Sequence, residues 1–255
     1  MLTALVTGAA TGLGREVALM LAQRRVAVSV ADINAPGLED TAAQLMLHSD
    51  ANHAIVEDLT APDAPERVIE QCCAKWGHLD LLVNNAAFGA IEPFLESSAG
   101  LWNRTMAINV TALVLLTTAA GKRMAARGSG RIVNLTSPAS RMALPNYAAY
   151  AASKAAVDSF TRASAVALAP SGVLVNSVSP GMMDTEMQRS TEAKLAEVEK
   201  RPDLDAFLDE RTRRVPLGRR AEISEVAAVV VWLLLDAPAY VTAARINASG
   251  GLDKD

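Results

Sequence analysis

Short hydrophobic runs alternate along the chain with longer segments in which apolar residues recur at helical spacing. The hydrophobic runs are LTALVT, VAVSVA, AIVEDL, LDLLV, RIVNLTS and VLVNSVS. The helical segments are Leu13 to Arg24, Pro36 to Leu47, Pro62 to Trp76, Leu101 to Arg127 and Ala148 to Leu168. Nearly continuous hydrophobic strands separated by helices are typical of a parallel sheet covered on both faces. The pattern predicts an α/β protein with a single doubly wound parallel sheet that binds its ligand at the carboxyl ends of the strands.

Segment 186–215 departs from this alternation. It carries dense charges of both signs and a sparse apolar set: Leu195, Val198, Leu204, Phe207 and Leu208. We interpret it as amphipathic helix outside the core, either a lid over a site or a solvated insertion, and its place between two core elements favours the lid. No Pro/Gly/Ser-rich linker divides the remainder, so residues 1–255 are expected to form one domain.

The composition indicates a globular protein and argues against anionic partners. A hydrophobic content of 51% with 20% charged residues is that of a globular chain and not of a disordered one. The 24 basic residues against 28 acidic residues give a formal charge of −4. No broad basic surface is available to neutralise phosphates, which argues against nucleic acids and anionic membranes as partners.

Cysteines, histidines and apolar runs bear on location and metal content. Cys72 and Cys73 are adjacent in a predicted helix, where a disulfide would be strained, so we expect a reduced, cytoplasmic protein. The N-terminus already forms a strand, and the longest apolar run, 226–235, is too short to cross a membrane, so neither a signal peptide nor a transmembrane helix is expected. Metal binding is not expected because the three histidines lack paired spacing: His48, His53 and His78.

The first strand leads into a glycine-rich turn, TGAATGLG at residues 7–14, and a helix follows. Glycines at such a junction let the backbone turn tightly and let a pyrophosphate approach the helix N-terminus. There the free N–H groups and the helix dipole favour negative charge. The turn predicts a nucleotide site, although a glycine-rich turn also occurs in α/β proteins without one.

Asp32 ends the second strand, 18 residues beyond Gly14. A carboxylate at this strand end can accept hydrogen bonds from both hydroxyls of an adenosine ribose and repels a 2′-phosphate. It therefore favours NAD over NADP, unless it only caps a turn. Arg15 is the one basic residue close enough in sequence to reverse this preference.

Tyr150 and Lys154 are spaced i, i+4 and share one face of a predicted helix. A tyrosine hydroxyl ionises near pH ~10, and a nearby ammonium lowers its pKa by favouring the phenolate. The pair is thereby suited to acid/base chemistry. Ser137 follows the strand RIVNLTS, where its hydroxyl can hydrogen-bond a substrate oxygen. Surface decoration is the alternative for a Tyr/Lys pair taken alone.

Together these motifs resemble those of the short-chain dehydrogenase/reductase family, over nearly the whole chain. Residues 7–14 are similar to its TGxxxGxG, residues 84–87 (NNAA) to its NNAG, and residues 150–154 (YAASK) to its YxxxK, with Ser137 placed 13 residues before Tyr150. Further similarity lies in Asp58-Leu59 after the third strand, in Asn109 within MAINV, and in PGMMDT at 180–185, which resembles PGxxxT. The resemblance implies a Rossmann-type fold.

The resemblance also implies roles. Tyr150 would be the acid/base, Lys154 would lower its pKa and hold the nicotinamide ribose, and Ser137 would orient the substrate oxygen. Asn109 would hold a proton-relay water. The implied cofactor-binding residues are Gly8, Thr11, Gly12, Leu13, Gly14, Asp32, Ile33, Asp58, Leu59, Asn85, Ala86, Tyr150, Lys154, Pro180, Gly181, Met183 and Thr185.

Two departures from the family pattern stand out. Ala87 replaces the glycine of NNAG and adds a methyl group where the backbone approaches another element. Ala243 stands where the family usually has the glycine of a Thr-Gly pair. Neither position carries the predicted chemistry.

We therefore expect an NAD-dependent oxidoreductase that interconverts a secondary alcohol and a ketone. The alternatives are an NADPH-dependent ketone or 3-oxoacyl reductase of the same fold and a non-catalytic NAD-binding regulatory protein. The complete set of predicted catalytic residues disfavours the regulatory protein, which needs only the glycine-rich turn. The family resemblance implies a homotetramer with dimer contacts through the two long helices, 101–127 and 148–168.

The expected substrate pocket is mostly apolar, which favours a compact or moderately hydrophobic alcohol over a phosphorylated or multiply charged one. No residue identifies the compound or the physiological direction of the reaction. The residues expected around the pocket are Phe88, Pro138, Met142, Leu144, Asn146, Met182 and Met187.

Overall fold

A seven-stranded parallel sheet forms the centre of the structure, a computed structural model that describes residues 1–253. The strand order is β3-β2-β1-β4-β5-β6-β7, and every neighbouring pair is parallel. The strands are β1 (Thr3–Thr7), β2 (Ala27–Asp32), β3 (Asn52–Val56), β4 (Leu81–Asn84), β5 (Gly130–Leu135), β6 (Val173–Pro180) and β7 (Arg245–Ala248).

Helices cover both faces of this sheet, as the hydrophobic pattern predicts. They are α1 (Gly12–Gln23), α2 (Ala35–Met46), α3 (Ala64–Trp76), α4 (Ala99–Met106), α5 (Leu113–Arg127), α6 (Ala148–Leu168), α7 (Glu186–Val198), α8 (Leu204–Arg213) and α9 (Ile223–Leu235). One apolar cluster lies between the sheet and α1, α2 and α9, and a second lies between the opposite face and α3, α5 and α6. The prediction of a doubly wound α/β fold is confirmed.

Strand β1 contributes side chains to both apolar clusters. All five residues of β1 are buried. Since successive side chains of a strand point to opposite faces, Ala4 and Val6 join the cluster under α1 and α9, whereas Leu5 joins the cluster under α3 and α5. A strand buried on both faces needs no polar alternation, which explains the continuous hydrophobic run.

The order of the strands determines where a ligand can bind. From β1 the chain moves outward to β2 and β3, and then returns to place β4 on the other side of β1. In such sheets the crevice at this reversal, beyond the carboxyl ends of the strands, is the usual ligand site. The glycine-rich turn after β1 lies at this reversal.

The predicted helix over Leu101 to Arg127 is longer and less regular than expected. It begins at Ala99, and residues Ala107–Ala112 between α4 and α5 are π-helical. A π-helical turn is a feature that residue periodicity does not reveal. The seventh strand, Arg245–Ala248, was also not predicted, because it is four residues long and partly exposed.

The continuous helix Ala99–Arg127 is long and apolar enough to cross a membrane by length and composition, with a mean hydropathy of 1.3 in its most apolar window. The expectation of no transmembrane helix rests on the longest uninterrupted apolar run, whereas polar residues interrupt this helix. Half of that window is buried inside the structure, and buried residues of α5 such as Leu116 and Met124 belong to the cluster under the sheet. Packing against the sheet thus explains the apolar character of this helix.

Segment 186–215 forms two helices, α7 and α8, with a small apolar cluster of their own. Leu195, Ala196 and Phe207 are buried there, and Tyr147 and Ile91 pack against them from the body of the protein. The prediction of amphipathic helix is confirmed by this arrangement.

Ala243 has a left-handed backbone conformation, with φ of +60°. Its N–H donates to the carbonyl of Val175 in β6 (2.8 Å), so the loop before β7 holds it there. An L-residue with a Cβ is strained in this region, whereas glycine adopts it freely. The departure from the family's glycine therefore costs stability.

We expect Ala243→Gly to raise the free energy of unfolding by about 0.5–1 kcal/mol, because relief of the left-handed strain exceeds the added chain entropy of glycine. Urea unfolding followed by tryptophan fluorescence measures this change. Ala43→Gly, at an exposed position of α2, is the matched control and should lower the same free energy by about 1 kcal/mol. A loss of stability in both variants would contradict the account of Ala243.

Candidate active site

Two adjoining cavities at the carboxyl edge of the sheet collect the predicted cofactor residues. The Asp32 cavity, of about 440 Å³, lies beside β2 and is lined by Gly8, Thr11, Asp32, Ile33, Asp58, Leu59, Asn85 and Ala86 among others. The Lys154 cavity, of about 180 Å³, lies beside α6 and is lined by Gly8, Thr11, Gly12, Leu13, Asn85, Ser137, Tyr150, Lys154, Pro180, Gly181, Met183 and Thr185 among others. Of the predicted cofactor residues, Gly14 alone lines neither cavity.

The glycine-rich turn is packed too closely for side chains. A Cβ on Gly8, whose φ is +63°, would lie 2.7 Å from the Cα of Ala86, and one on Gly14 would lie 2.3 Å from the carbonyl oxygen of Gly8. Gly12 is also left-handed, with φ of +56°, and the position of its Cβ lies 3.4 Å from Cγ2 of Thr185. Gly14 therefore acts behind the cavity wall, by letting the turn close on itself.

The start of α1 is suited to a phosphate. Thr11, its N-cap, makes no side-chain capping hydrogen bond, and the first turn contains no acidic residue. The first N–H groups of the helix are therefore left for an anion. This geometry fits the pyrophosphate of a dinucleotide.

Asn85 and Thr7 hold the turn in place. The side-chain amide of Asn85 donates to the carbonyls of Thr7 (3.0 Å) and Gly8 (2.9 Å). The Thr7 hydroxyl accepts from the N–H groups of Asn85 (3.1 Å) and Ala86 (3.2 Å). Asn85 thus braces the turn as well as lining both cavities. The role of Thr7 was missed by sequence reasoning, although it is the first residue of the TGxxxGxG motif.

Asp32 faces the Asp32 cavity with its carboxylate fixed by two backbone donors. One oxygen accepts from the N–H of Ala10 (3.0 Å) and the other from the N–H of Asn34 (2.9 Å). A carboxylate has about four acceptor positions, so it can still accept hydrogen bonds from ribose hydroxyls.

Arg15 is engaged elsewhere. Its Nε donates to the Thr41 hydroxyl (2.9 Å), and Nη2 donates to the carbonyls of Gly37 (3.0 Å) and Ala10. It joins the glycine-rich turn to α2 and does not line the Asp32 cavity. The cation closest to Asp32 in sequence is thus directed away from this cavity, and Arg104, which does line it, lies over the Phe88 ring.

Asp58 and Leu59 follow β3 and line the same cavity. The Asp58 carboxylate accepts from the N–H (2.9 Å) and the hydroxyl (2.7 Å) of Thr60. These hydrogen bonds favour the charged form and lower the pKa of Asp58. The pair is placed where an adenine ring could lie.

Ser137, Tyr150 and Lys154 converge where β5 and α6 meet. Ser137 follows β5, and its hydroxyl forms a hydrogen bond with that of Tyr150. The Lys154 ammonium donates to the carbonyl of Leu135 (2.9 Å) and lies 5.7 Å from the centre of the Tyr150 ring. Lys154 is 3% exposed, and burial lowers its pKa to about 8.

The pKa of Tyr150 is raised, whereas a lowering by Lys154 is expected from the sequence. Burial raises the pKa of Tyr150, and the hydrogen bond with Ser137 opposes this rise. The Lys154 ammonium donates to the Leu135 carbonyl. The protein alone therefore keeps the Tyr150 hydroxyl protonated.

Asn109 lies in the π-helical segment and is 1% exposed. Its side-chain oxygen accepts from the N–H of Phe88 (2.7 Å), and its amide donates to the Phe88 carbonyl (3.0 Å) and the Ser153 hydroxyl (3.0 Å). The side chain is thus occupied by protein partners. A relay water at Asn109 would therefore have to bind its backbone carbonyl.

Two buried residues behind Ser137 and Lys154 were missed by sequence reasoning. Arg245 in β7 donates to the Ser137 carbonyl (3.2 Å) and pairs with Asp253. Asp158, one helical turn beyond Lys154, lies 3.4 Å from the Arg245 guanidinium and acts to raise the Lys154 pKa against the effect of burial. The spacing of Asp158 from Lys154 was visible in the sequence, but the position of Arg245 depended on the unpredicted strand β7.

A third cavity, of about 150 Å³, lies on the far side of Tyr150; we call it the Tyr147 cavity. Five of the seven predicted pocket residues line it: Pro138, Met142, Leu144, Met182 and Met187. Phe88 and Asn146 do not. The Phe88 ring lines the Asp32 cavity under the Arg104 guanidinium (4.2 Å), and the Asn146 carbonyl accepts from the N–H of Glu92 (3.1 Å).

Segment 186–215 contributes residues to the Tyr147 cavity that sequence reasoning did not name. They are Gln188, Thr191, Arg211 and Arg214, and Tyr147 joins them from the start of α6. Dense charge in 186–215 pointed to the segment but not to the side chains that face inward. Within residues 1–253, no group of three or more His, Cys, Asp or Glu residues could hold a metal ion.

Comparison with known proteins accounts for this arrangement. A family model described as enoyl-(acyl carrier protein) reductase matches residues 8–253. The chain belongs to the short-chain dehydrogenase/reductase family. This fold binds a nicotinamide dinucleotide, and the protein is an oxidoreductase of the kind that acts on alcohols and ketones.

Several members of the short-chain dehydrogenase/reductase family align along nearly their whole length. Cis-4-hydroxycyclohexanecarboxylate dehydrogenase of Sinomonas cyclohexanicum is 35% identical over 252 residues, which are 97% of this chain and 95% of that protein. Sorbitol dehydrogenase of Cereibacter sphaeroides is 33% identical over 254 residues, which are 98% and 96% of the two chains.

Two solved structures of the family share the fold. A point variant of actinorhodin polyketide ketoreductase with NADPH has a TM-score of 0.95 at 32% identity, over 100% of this chain and 98% of that one. NAD⁺-bound xylitol dehydrogenase has a TM-score of 0.92 at 30% identity, over 98% of each chain. One structure holds each cofactor, so the likeness does not distinguish NAD from NADP.

Burial of Lys154 predicts a pH-dependent stability. Its pKa is about 8 in the folded protein against 10.5 for a free lysine, so between these pH values the unfolded chain binds a proton that the native protein lacks. Stability rises with pH in such an interval. We expect the free energy of unfolding of the native protein, minus that of Lys154→Met, to increase by about 3 kcal/mol from pH 8 to 10.5.

Urea unfolding of both proteins at several pH values measures this difference. Below pH 8 the difference should be constant, because Lys154 is then charged in both the folded and the unfolded state. A difference that stays flat across the whole range would show that the native ammonium has an ordinary pKa.

Proposed function

We propose that the protein is an NAD-dependent oxidoreductase that interconverts a secondary alcohol and a ketone, with Tyr150 as the acid/base. The observation that carries this proposal is the position of Ser137 and Tyr150, which line both the Lys154 cavity and the Tyr147 cavity. A cofactor bound in the first cavity and a substrate bound in the second would meet at these two hydroxyl groups.

For oxidation Tyr150 would react as the phenolate: its own proton leaves through a relay water, and its oxygen then accepts the proton of the substrate hydroxyl as the carbinol carbon loses a hydride. Ser137 holds the substrate oxygen, and Lys154 supplies a positive charge beside Tyr150 while it holds the nicotinamide ribose. The bound nicotinamide supplies the hydride acceptor. The backbone carbonyl of Asn109 would hold a relay water. In the reverse direction Tyr150 returns the proton to the ketone oxygen.

Asp32 supports NAD as the cofactor. Its carboxylate faces the Asp32 cavity, and Arg15, the nearby cation, is bonded to Thr41 and backbone carbonyls. A 2′-phosphate placed beside Asp32 would meet its negative charge. The residues proposed to hold the dinucleotide are the lining residues named above, with Gly14 behind them.

The NADPH-dependent ketone or 3-oxoacyl reductase is the alternative within enzymes. A putative ketoacyl reductase of Streptomyces coelicolor, 34% identical over 251 residues, favours it. Several relatives are named as dehydrogenases of polyols and cyclic alcohols, which favours an enzyme that oxidises alcohols. A non-catalytic NAD-binding protein would not need Ser137, Tyr150 and Lys154 at one junction.

We retain three further proposals. The whole chain forms one domain, in which α7 and α8 act as a lid over the Tyr147 cavity, as their lining residues support. The protein forms a homotetramer through the long helices, which expose Leu115 and Val166. A reduced, cytoplasmic location agrees with the two free cysteines, Cys72 and Cys73.

Tyr150→Phe should abolish turnover of secondary alcohols and leave NAD binding nearly intact, because the substitution removes only the hydroxyl that exchanges the proton. Steady-state NAD reduction measures turnover, and fluorescence titration with NADH measures binding. The screen should cover secondary alcohols, sugars, polyols and hydroxysteroids. Full activity of the variant would rule out Tyr150 as the acid/base.

The carboxylate of Asp32 predicts that kcat/KM favours NAD over NADP. Asp32→Asn removes the charge and keeps one acceptor oxygen, so the NAD:NADP ratio should fall about tenfold or more. Glu57→Gln, which changes a second carboxylate lining the same cavity, is the matched control. A native preference for NADP would overturn the cofactor assignment.

A further inference from the structure

The Tyr147 cavity has an unbalanced charge. Its lining consists of 17 residues, most of them apolar or small. Arg211 and Arg214 are the charged residues among them, and no acidic residue of the described range 1–253 lines the cavity. The sequence pattern predicted an apolar pocket, so these two guanidinium groups need a chemical explanation.

Arg211 is held rigidly at the cavity wall. Its Nε donates to Glu192 Oε1 (3.0 Å), and Glu192 is 1% exposed. The guanidinium lies 5.6 Å from the centre of the Phe207 ring, and it forms a hydrogen bond with the Tyr147 hydroxyl. With its side chain 17% exposed, Arg211 is a fixed cation rather than a mobile surface group.

The acidic partners of these arginines are shared. Glu192 also accepts from Arg220 (2.9 and 3.1 Å). Glu210 accepts from Arg214 (2.6 Å) and also pairs with Arg201. Four guanidinium groups therefore share two carboxylates, while Glu199 acts on the Tyr147 hydroxyl and Asp184 acts on Arg220.

Arg211 and Arg214 line the cavity, whereas Arg220 and Arg201, the second partners of the same carboxylates, do not. The excess positive charge is thus presented to the cavity interior. In a partly dry pocket an anion gains more from such a charge than it does in water.

The position of this charge relates it to the reacting carbon. The Tyr147 and Tyr150 rings are 6.4 Å apart, and Arg211 bonds to the Tyr147 hydroxyl. Arg211 and Tyr150 line the same cavity. One substrate can therefore place an anionic group at Arg211 and its alcohol at Tyr150.

We propose that Arg211 and Arg214 form an anion subsite that binds the carboxylate of a hydroxy acid substrate. Arg211 is the fixed member, and the more exposed Arg214 closes the site at the rim. The planar fork of a guanidinium suits a carboxylate, and the apolar lining suits the carbon skeleton between the two polar ends. This inference rests on the proposed function, because it places the substrate alcohol at Tyr150.

The test compares a charged and a neutral substrate of the same skeleton, 4-hydroxycyclohexanecarboxylate and its methyl ester. The native protein should favour the acid in kcat/KM by about tenfold to a hundredfold, the range for charge-assisted hydrogen bonds, and mainly through a lower KM. In Arg211→Gln the acid:ester ratio should fall towards one, and Arg211→Lys should restore part of it.

Arg220→Gln is the matched control, because it removes the other partner of Glu192 without changing the cavity wall. The acid:ester ratio should change by less than about threefold in this variant. Equal losses of the ratio in Arg211→Gln and Arg220→Gln, or a ratio near one in the native protein, would overturn the subsite.

Binding of a carboxylate that cannot react separates this inference from the proposed function. Calorimetry should detect cyclohexanecarboxylate binding to the native protein and to Arg220→Gln, but not to Arg211→Gln, and cyclohexanecarboxamide should bind more weakly to the native protein. Turnover of neutral alcohols without this binding would reject the subsite alone. Binding without turnover of any alcohol in the screen would support the subsite as an anion site and reject the oxidoreductase proposal for these substrates.

Discussion

A lysine ammonium buried at the carboxyl edge of the sheet is the constraint on which the site depends. Lys154 is almost wholly inaccessible, and burial penalises its charge. It is held by the Leu135 carbonyl at the end of β5 and by the field of Asp158 one helical turn away. The end of β5 and the start of α6 must therefore stay together, and this brings Ser137 next to Tyr150.

The charges behind this junction connect it to the last strand of the sheet. Asp158 accepts from the Ser140 hydroxyl (2.6 Å), and Arg245 in β7 lies between Asp158, Asp253 and the Ser137 carbonyl. Because the Arg245 guanidinium contacts two carboxylates and the Ser137 carbonyl, it couples the geometry of Ser137 to the folding of β7. Contacts between the β5–α6 junction and β7 thus stabilise the candidate active site.

Helices α7 and α8 differ from this interior network in the contacts that stabilise them. Their apolar cluster is small, and most of their order comes from guanidinium–carboxylate contacts around Glu192 and Glu210. The pair of arginines outside the cavity stabilises the same carboxylates that orient the pair inside it. One arrangement of charges therefore stabilises α7 and α8 and places two guanidinium groups at the wall of the Tyr147 cavity.

The sequence by itself determined the fold class and most of the residues proposed to bind the cofactor. Hydrophobic strands alternating with helices admit few arrangements other than a parallel sheet, and Gly8, Gly12 and Asp32 are tied to strand ends that all meet at one edge. Their roles depend on local backbone and on this topology, so they could be inferred from spacing alone. Tyr150 and Lys154 could be paired for the same reason, because both lie on one helix.

Only the tertiary structure decided contacts between distant segments. Arg211 faces the cavity while Arg220 does not, although both bind Glu192, and nothing in their local sequence distinguishes them. The directions of the pKa shifts of Tyr150 and Lys154 follow from burial, which periodicity cannot show. The occupied side chain of Asn109 and the strain at Ala243 likewise depend on how remote parts of the chain pack, because hydrogen-bond partners and backbone strain are properties of the assembled fold.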